Sequence, residues 1–184
     1  MKKILFAILT SICVFSNAQI TPPIVKSSLT TSNGLKINSR KSTLTEKEII
    51  QLSKFKNLNF QKIVLKDLSD ITTETVMGIM TEYETVDNIS RKTLTVEKNE
   101  LSKLIESFQT LEKKQKETIG ESVKKYKFTL MNNLEFGAIY KESSKSWVNY
   151  YIFPAEFYSK SIYEFSTDEL RELIKLLKKV EKDL

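Results

Sequence analysis

Two apolar stripes set 69 residues apart do most to limit what this chain can fold into. Leu101, Leu104, Ile105, Phe108 and Leu111 fall at offsets 0, 3, 4, 7 and 10, and Leu170, Leu173, Ile174, Leu177 and Val180 repeat those offsets. A period of 3.6 residues puts each set along one side of a helix, and such a stripe must be covered by something apolar. Glu100-Leu101 also matches Glu169-Leu170, and the second helix opens on Ser166-x-x-Glu169, the spacing of a capping box. Any two amphipathic helices share a stripe of this kind. The surroundings argue for a repeat, because each helix directly follows a strand-like run and a stretch that holds a single glycine.

The strand-like runs are FQKIVLKDL from Phe60, ETVMGIMTEYETV from Glu74 and SRKTLTVEK from Ser90, then KKYKFTLM, LEFGAIYKE, SWVNYYIF and SIYEFS. Period-two alternation of β-branched and aromatic residues, bounded by Asp, Asn and Ser, is the pattern of sheet strands. Asn132-Asn133 suits a tight hairpin, since Asn tolerates positive φ. Ahead of these runs TEKEIIQLSKF (45–55) reads as a helix of about three turns, with Thr45 and Glu48 at capping-box spacing and Leu44 stapled to Ile49. The order is then β-β-β-α followed by β-β-β-β-α, in halves 60–117 and 123–184 of one domain, 44–184. Met77-Gly78-Ile79 aligns with Phe136-Gly137-Ala138 at a spacing of 59, which leaves room for one extra strand near 146–165. The expected class is α+β: an antiparallel sheet of two related meander-plus-helix halves with both long helices on one face, because a small sheet cannot hide its own apolar face.

Residues 1–18 read as an address. Lys2 and Lys3 precede an apolar run from Ile4 to Phe15, and Ser16-Asn17-Ala18 puts small residues before a cut at Gln19. The run is shorter than the ~20 residues of a spanning helix. Export to the periplasm or the exterior is expected, with no membrane span in the mature chain. Ile12 stands where a lipidated Cys13 would need a small residue, so the single cysteine leaves with the leader. Residues 19–43, rich in Ser, Thr, Asn and Lys with Pro22-Pro23, read as a flexible arm.

Composition excludes much chemistry. The chain has no histidine, which removes Ser-His-Asp triads and His-ligated metals. Its four glycines form no phosphate-cradling loop, and no cofactor is expected. Two hydrolytic options survive: a Ser–Lys pair, at Ser143-Ser144-Lys145 or Ser159-Lys160, and paired carboxylates, at Glu82 and Glu84. Adjacent residues point apart and exposed strands carry Glu routinely, so a hydrolase is the lesser reading. Without Lys2 and Lys3 the formal charge of +6 falls to +4, a mild bias. On the last helix Arg171, Lys175, Lys178, Lys179 and Lys182 are interleaved with Glu172, Glu181 and Asp183, the pattern of a solvated face, and no nucleic acid is expected.

The most suggestive feature is aromatic. In SWVNYYIF, Trp147, Tyr151 and Phe153 share one side of a strand, and Val148, Tyr150 and Ile152 share the other. A strand apolar on both faces is either covered twice or offers an aromatic patch. Trp147, Tyr150, Tyr151 and Tyr158 are accordingly the candidate ligand-binding residues, for a protein or polysaccharide of the cell envelope. The expected function is that of an exported, non-catalytic binding or structural module.

Overall fold

The computed structural model describes residues 26–30, 44–84, 89–117, 124–154 and 162–184. The leader, most of the arm, Tyr158 and Ser159-Lys160 lie outside the described residues. After β1 (Lys26–Thr30) come β2 (Thr45–Phe55), β3 (Leu58–Asp67), β4 (Thr72–Glu84), β5 (Ile89–Val96) and α1 (Lys98–Lys114). The second half runs through β6 (Lys125–Thr129), β7 (Glu135–Lys141), β8 (Ser146–Ile152), β9 (Ile162–Phe165) and α2 (Thr167–Asp183). The class is α+β, and from β2 onward the order β-β-β-β-α occurs twice. Within residues 19–43, the segment Lys26–Thr30 is a strand laid parallel to β5.

Residues 45–55 are a strand and not a helix. β2 pairs antiparallel with β3 along its length, Thr45 opposite Asp67 and Phe55 opposite Leu58, with the register shifting between Gln51 and Ser53. Its helix-forming composition is overridden because β3 offers a partner for every turn a three-turn helix would have to make alone. The first half therefore has four strands, like the second. Gly78 lies on the third of its half and Gly137 on the second, so aligning those glycines does not describe the repeat.

The strands divide into two sheets, β1-β5-β4-β3-β2 and β6-β7-β8-β9, where a single continuous one was expected. β1 occupies the β5 edge of the first sheet. The sheets are instead held together by the helices. The stripes of α1 and α2 join one core with Phe60, Met77, Ile79 and Leu94 of the first sheet and Phe136 and Tyr151 of the second. The helices run antiparallel: Ser102 meets Glu181 (Oγ to Oε1, 2.5 Å), and at the other end Arg171 Nε lies 3.1 Å from Glu112 Oε1. Each helix rests on the third strand of its own half and the first strand of the other, α1 on β4 and β6, α2 on β8 and β2. The halves thus interlock about an approximate two-fold.

Local contacts fix this arrangement. The α2 capping box is complete, Ser166 Oγ accepting from the Glu169 amide and Glu169 from the Ser166 amide. α1 has no side-chain cap, and its buried Glu100 instead accepts the Met131 amide at 2.5 Å. That bond, with Asn132 Nδ2 donating to the Thr95 carbonyl at 2.9 Å, pins the β6–β7 hairpin to the start of α1. Asn133 takes φ 65 there, the backbone that an Asn-Asn turn predicts. Among the described residues no helix is long and apolar enough to cross a membrane.

Candidate functional site

The described candidate aromatics, Trp147, Tyr150 and Tyr151, are divided between the two faces of β8. Strand alternation puts Trp147 and Tyr151 on the inner face of β8, under the helices, and Tyr150 on the outer face. Tyr151 is fully buried, stacked on Tyr163 at 4.9 Å, and its hydroxyl donates to Asn57 in the β2–β3 turn. Trp147 is 9% exposed, beside Tyr126 and Tyr140 with ring centroids at 5.4 and 5.5 Å. Its indole Nε1 and the Nδ2 of Asn149 have no hydrogen-bond partner among the described residues. The Asn149 carbonyl, by contrast, accepts from Gln115 at 2.6 Å, and Gln115 accepts from Thr167, tying β8 to both helix ends.

Tyr150 lies flat on the outer face, across Gly137. A Cβ at Gly137 would stand 2.5 Å from its ring and from the Tyr126 carbonyl, so only glycine permits this approach. The hydroxyl donates to Glu135 Oε1 at 2.9 Å, and Lys127 Nζ sits 2.7 Å from Oε2. Burial alone would raise the Glu135 carboxyl, but the bonds from Lys127 and Tyr150 outweigh it and hold the group below its ordinary 4.5. Burial first, and then Glu135, push the Tyr150 phenol up to about 12.

The hydrolytic candidates are dispersed. Glu82 is exposed and bound to Arg91 (Oε1 to Nε, 2.5 Å). Ser144 shares a hydrogen bond with Ser146 at 2.7 Å in the exposed β7–β8 turn, where Lys145 takes φ 46. Among the described residues no cluster of three or more metal-ligating side chains occurs. On the α2 face, Arg171 is engaged by Glu112 and Asp168.

A surface that sequence reasoning missed lies where α1 passes over β6. Here a groove of about 400 Å³ opens to solvent. Glu106, Ser107, Phe108, Thr110, Leu111 and Lys114 line it from the helix; Tyr126, Phe128, Phe136 and Gly137 line it from the strands. Phe108 meets Phe136 edge-on at 5.1 Å to make the floor, and half-buried Tyr126 and Phe128 make one wall. The lysines at the rim are paired, Lys114 with Glu117 and Lys127 with Glu135. At the related place in the other half, where α2 lies on β2, Phe55 joins the core, and Leu52, Leu176 and Leu184 are partly buried against it, as Tyr126 and Phe128 are here. Lys62 Nζ reaches the Asp183 carbonyl at 2.8 Å and ties that end down. The bulge that turns Leu52 inward has no counterpart in the five-residue β6. The sequence signal for the groove was the aromatic alternation Tyr126, Phe128 on a strand flanked by lysines, which marks an edge strand as readily as a central one.

No family model matches the chain, and neither a characterised protein nor a solved structure was found to match it.

Proposed function

We propose that this protein is an exported, non-catalytic binding module of a bacterial cell envelope, and that it takes its ligand in the groove between α1 and β6. The observation that carries this reading is the cavity itself: where α1 crosses β6 a space of about 400 Å³ remains beside Leu111, Tyr126 and Phe128, above the buried rings of Phe108 and Phe136. A cavity of about 400 Å³ with an apolar lining and a few polar groups at the rim has the size and character of a recognition site, since such sites run to roughly 300–1,000 Å³. Export is supported by the pattern of Lys2, Lys3, the apolar run and Ser16-Asn17-Ala18.

Trp147 supplies the test. It is the only tryptophan in the chain, and its ring lies 5.4 Å from that of Tyr126, a wall residue. Titrating the purified protein with fractions of envelope extract is expected to give a saturable change in tryptophan emission with at least one fraction. Ser107→Phe, which fills the groove from the helix side, should abolish that change while leaving the thermal midpoint within a few degrees, as rim substitutions do. Emission that no fraction changes, or that changes equally in Ser107→Phe, would remove the groove from consideration.

A further inference from the structure

Beyond the wall that Tyr126 and Phe128 make, the groove borders the open edge of β6. β6 is the outermost strand of its sheet, and among the described residues nothing pairs with its far edge. Two hydrogen bonds fix which backbone groups that edge presents. The Tyr140 amide donates to the Lys124 carbonyl and the Leu130 amide to the Leu134 carbonyl, with no shift of register between them. In an antiparallel ladder, bonded pairs recur every second residue. Tyr126 and Phe128 therefore spend their N–H and C=O groups on β7. The N–H and C=O groups of Lys125, Lys127 and Thr129 point away from the sheet, three donors and three acceptors in a row.

Side chains alternate along the same strand. Tyr126 and Phe128 face the groove, while Lys125 and Lys127 stand exposed on the outer face. A chain laid along this edge would meet apolar surface on one side and, on the other, two lysines, Lys127 bridged to Glu135 and Lys125 above the Tyr150 ring. The groove residues of α1 run from Glu106 to Lys114, about 12 Å of helix at ~1.5 Å per residue. That length matches about four residues of extended chain at ~3.3 Å each.

We propose that the occupant is an extended peptide segment that adds to β6 as a further strand, with alternate apolar side chains in the groove and acidic ones opposite Lys125 and Lys127. This deepens the reading of the groove as the binding site and rests on it. Charge complementarity selects the partner, since opposite charges across two strands stabilise and like charges directly opposite do not. The same rule turns away a second copy of this chain, because antiparallel pairing of two β6 edges about their centres would set Lys127 against Lys127. Among the described residues β1, β2 and β9 are also outermost strands; of these β2 is guarded by its bulge and by Glu46, Lys47 and Glu48 of mixed sign.

The probe is the capped peptide of alternating valine and glutamate, seven residues long, tracked by Trp147 emission and by amide exchange at Lys125, Lys127 and Thr129. It should bind saturably and slow exchange at those three amides. The valine–lysine peptide should bind at least about tenfold more weakly, and Lys125→Glu/Lys127→Glu should reverse that preference, two like-for-opposite swaps being worth roughly that factor. Methylating alternate peptide nitrogens of the acidic probe should abolish binding, because the edge is read through its backbone. Lys127→Pro removes an outward N–H together with the Lys127–Glu135 bridge, so it should weaken binding beyond Lys127→Ala, which removes the bridge alone, while the folded spectrum persists. The proposal is overturned by equal binding of acidic and basic peptides, or by an N-methylated probe as good as the parent. Binding of dodecanoate, lost in Ser107→Phe, together with no binding of either peptide, would overturn strand addition and leave the groove as a site for amphiphiles. If neither peptide binds, dodecanoate does not bind and no extract fraction changes the emission, the groove reading itself fails.

Discussion

At the residue scale the second sheet is organised around one pair, Tyr150 over Gly137. The glycine is there for space and not for backbone freedom. A methyl group at Gly137 would press on the Tyr126 carbonyl and the Tyr150 ring at 2.5 Å, and backbone cannot yield. At Gly78 the same methyl would meet the Ile63 Cδ1 at 2.7 Å, the far end of a side chain that can turn aside. Gly137→Ala is therefore expected to cost about 2–3 kcal/mol, and Gly78→Ala about 1 or less, by denaturant unfolding. Tyr150 also sets a pH limit. Its phenol is raised from 10.0 to about 12, so below pH 10 it is neutral in both states and the stability is complete. Between pH 10 and 12 the unfolded chain ionises there and the folded chain does not, so stability falls as pH rises. Tyr150→Phe should lessen that alkaline loss, the more deeply buried Tyr151 phenol, also raised by burial, supplying part of what remains, and pH-dependent unfolding midpoints will measure the difference. On the acid side Glu112 is held low, first by the hydrogen bond from Lys116 and then by Arg171, and Glu169 chiefly by Lys56. Their contribution, like that of Glu135, is present above 4.5 and fades as pH falls through the depressed values.

At the scale of elements, the same short motif occurs twice with opposite outcomes. Thr45-x-x-Glu48 and Ser166-x-x-Glu169 both read as capping boxes, and only the second is one. The residues C-terminal to each motif separate the two. The stripe after Ser166 repeats for three turns and has a core to cover, whereas Ile49, Ile50 and Leu52 after Thr45 form no lasting stripe, and β3 lies ready to pair. Ser166→Ala should accordingly cost about 1 kcal/mol, the usual worth of an N-cap, and Thr45→Ala should be close to neutral; chemical denaturation of the two variants checks this. The helices, the Asn132-Asn133 hairpin, the repeat and the sidedness of SWVNYYIF were legible because each is set by local periodicity. The division into two sheets was not, since it depends on which strand edges meet across the whole chain and not on local periodicity. The groove was invisible for a similar reason. Tyr126 and Phe128 look like any buried alternation until α1 is placed beside them, and Trp147 and Tyr151 look like a binding patch until the helices cover them.

For the whole molecule, the interlock explains both the stability of the fold and the position of the site. Each helix serves both sheets, so two halves too small to bury their own faces form one core. The cavity of about 400 Å³ lies where α1 passes over β6, and that strand is also the outermost of its sheet. The proposed function needs that edge to be free. Residue-resolved amide exchange along β6 measures this directly. An alternation is expected in the protein alone: Tyr126 and Phe128 protected, Lys125, Lys127 and Thr129 exchanging close to the rate of an open chain. Uniform protection of all five amides would mean that the edge is already occupied, and strand addition at β6 would have to be abandoned.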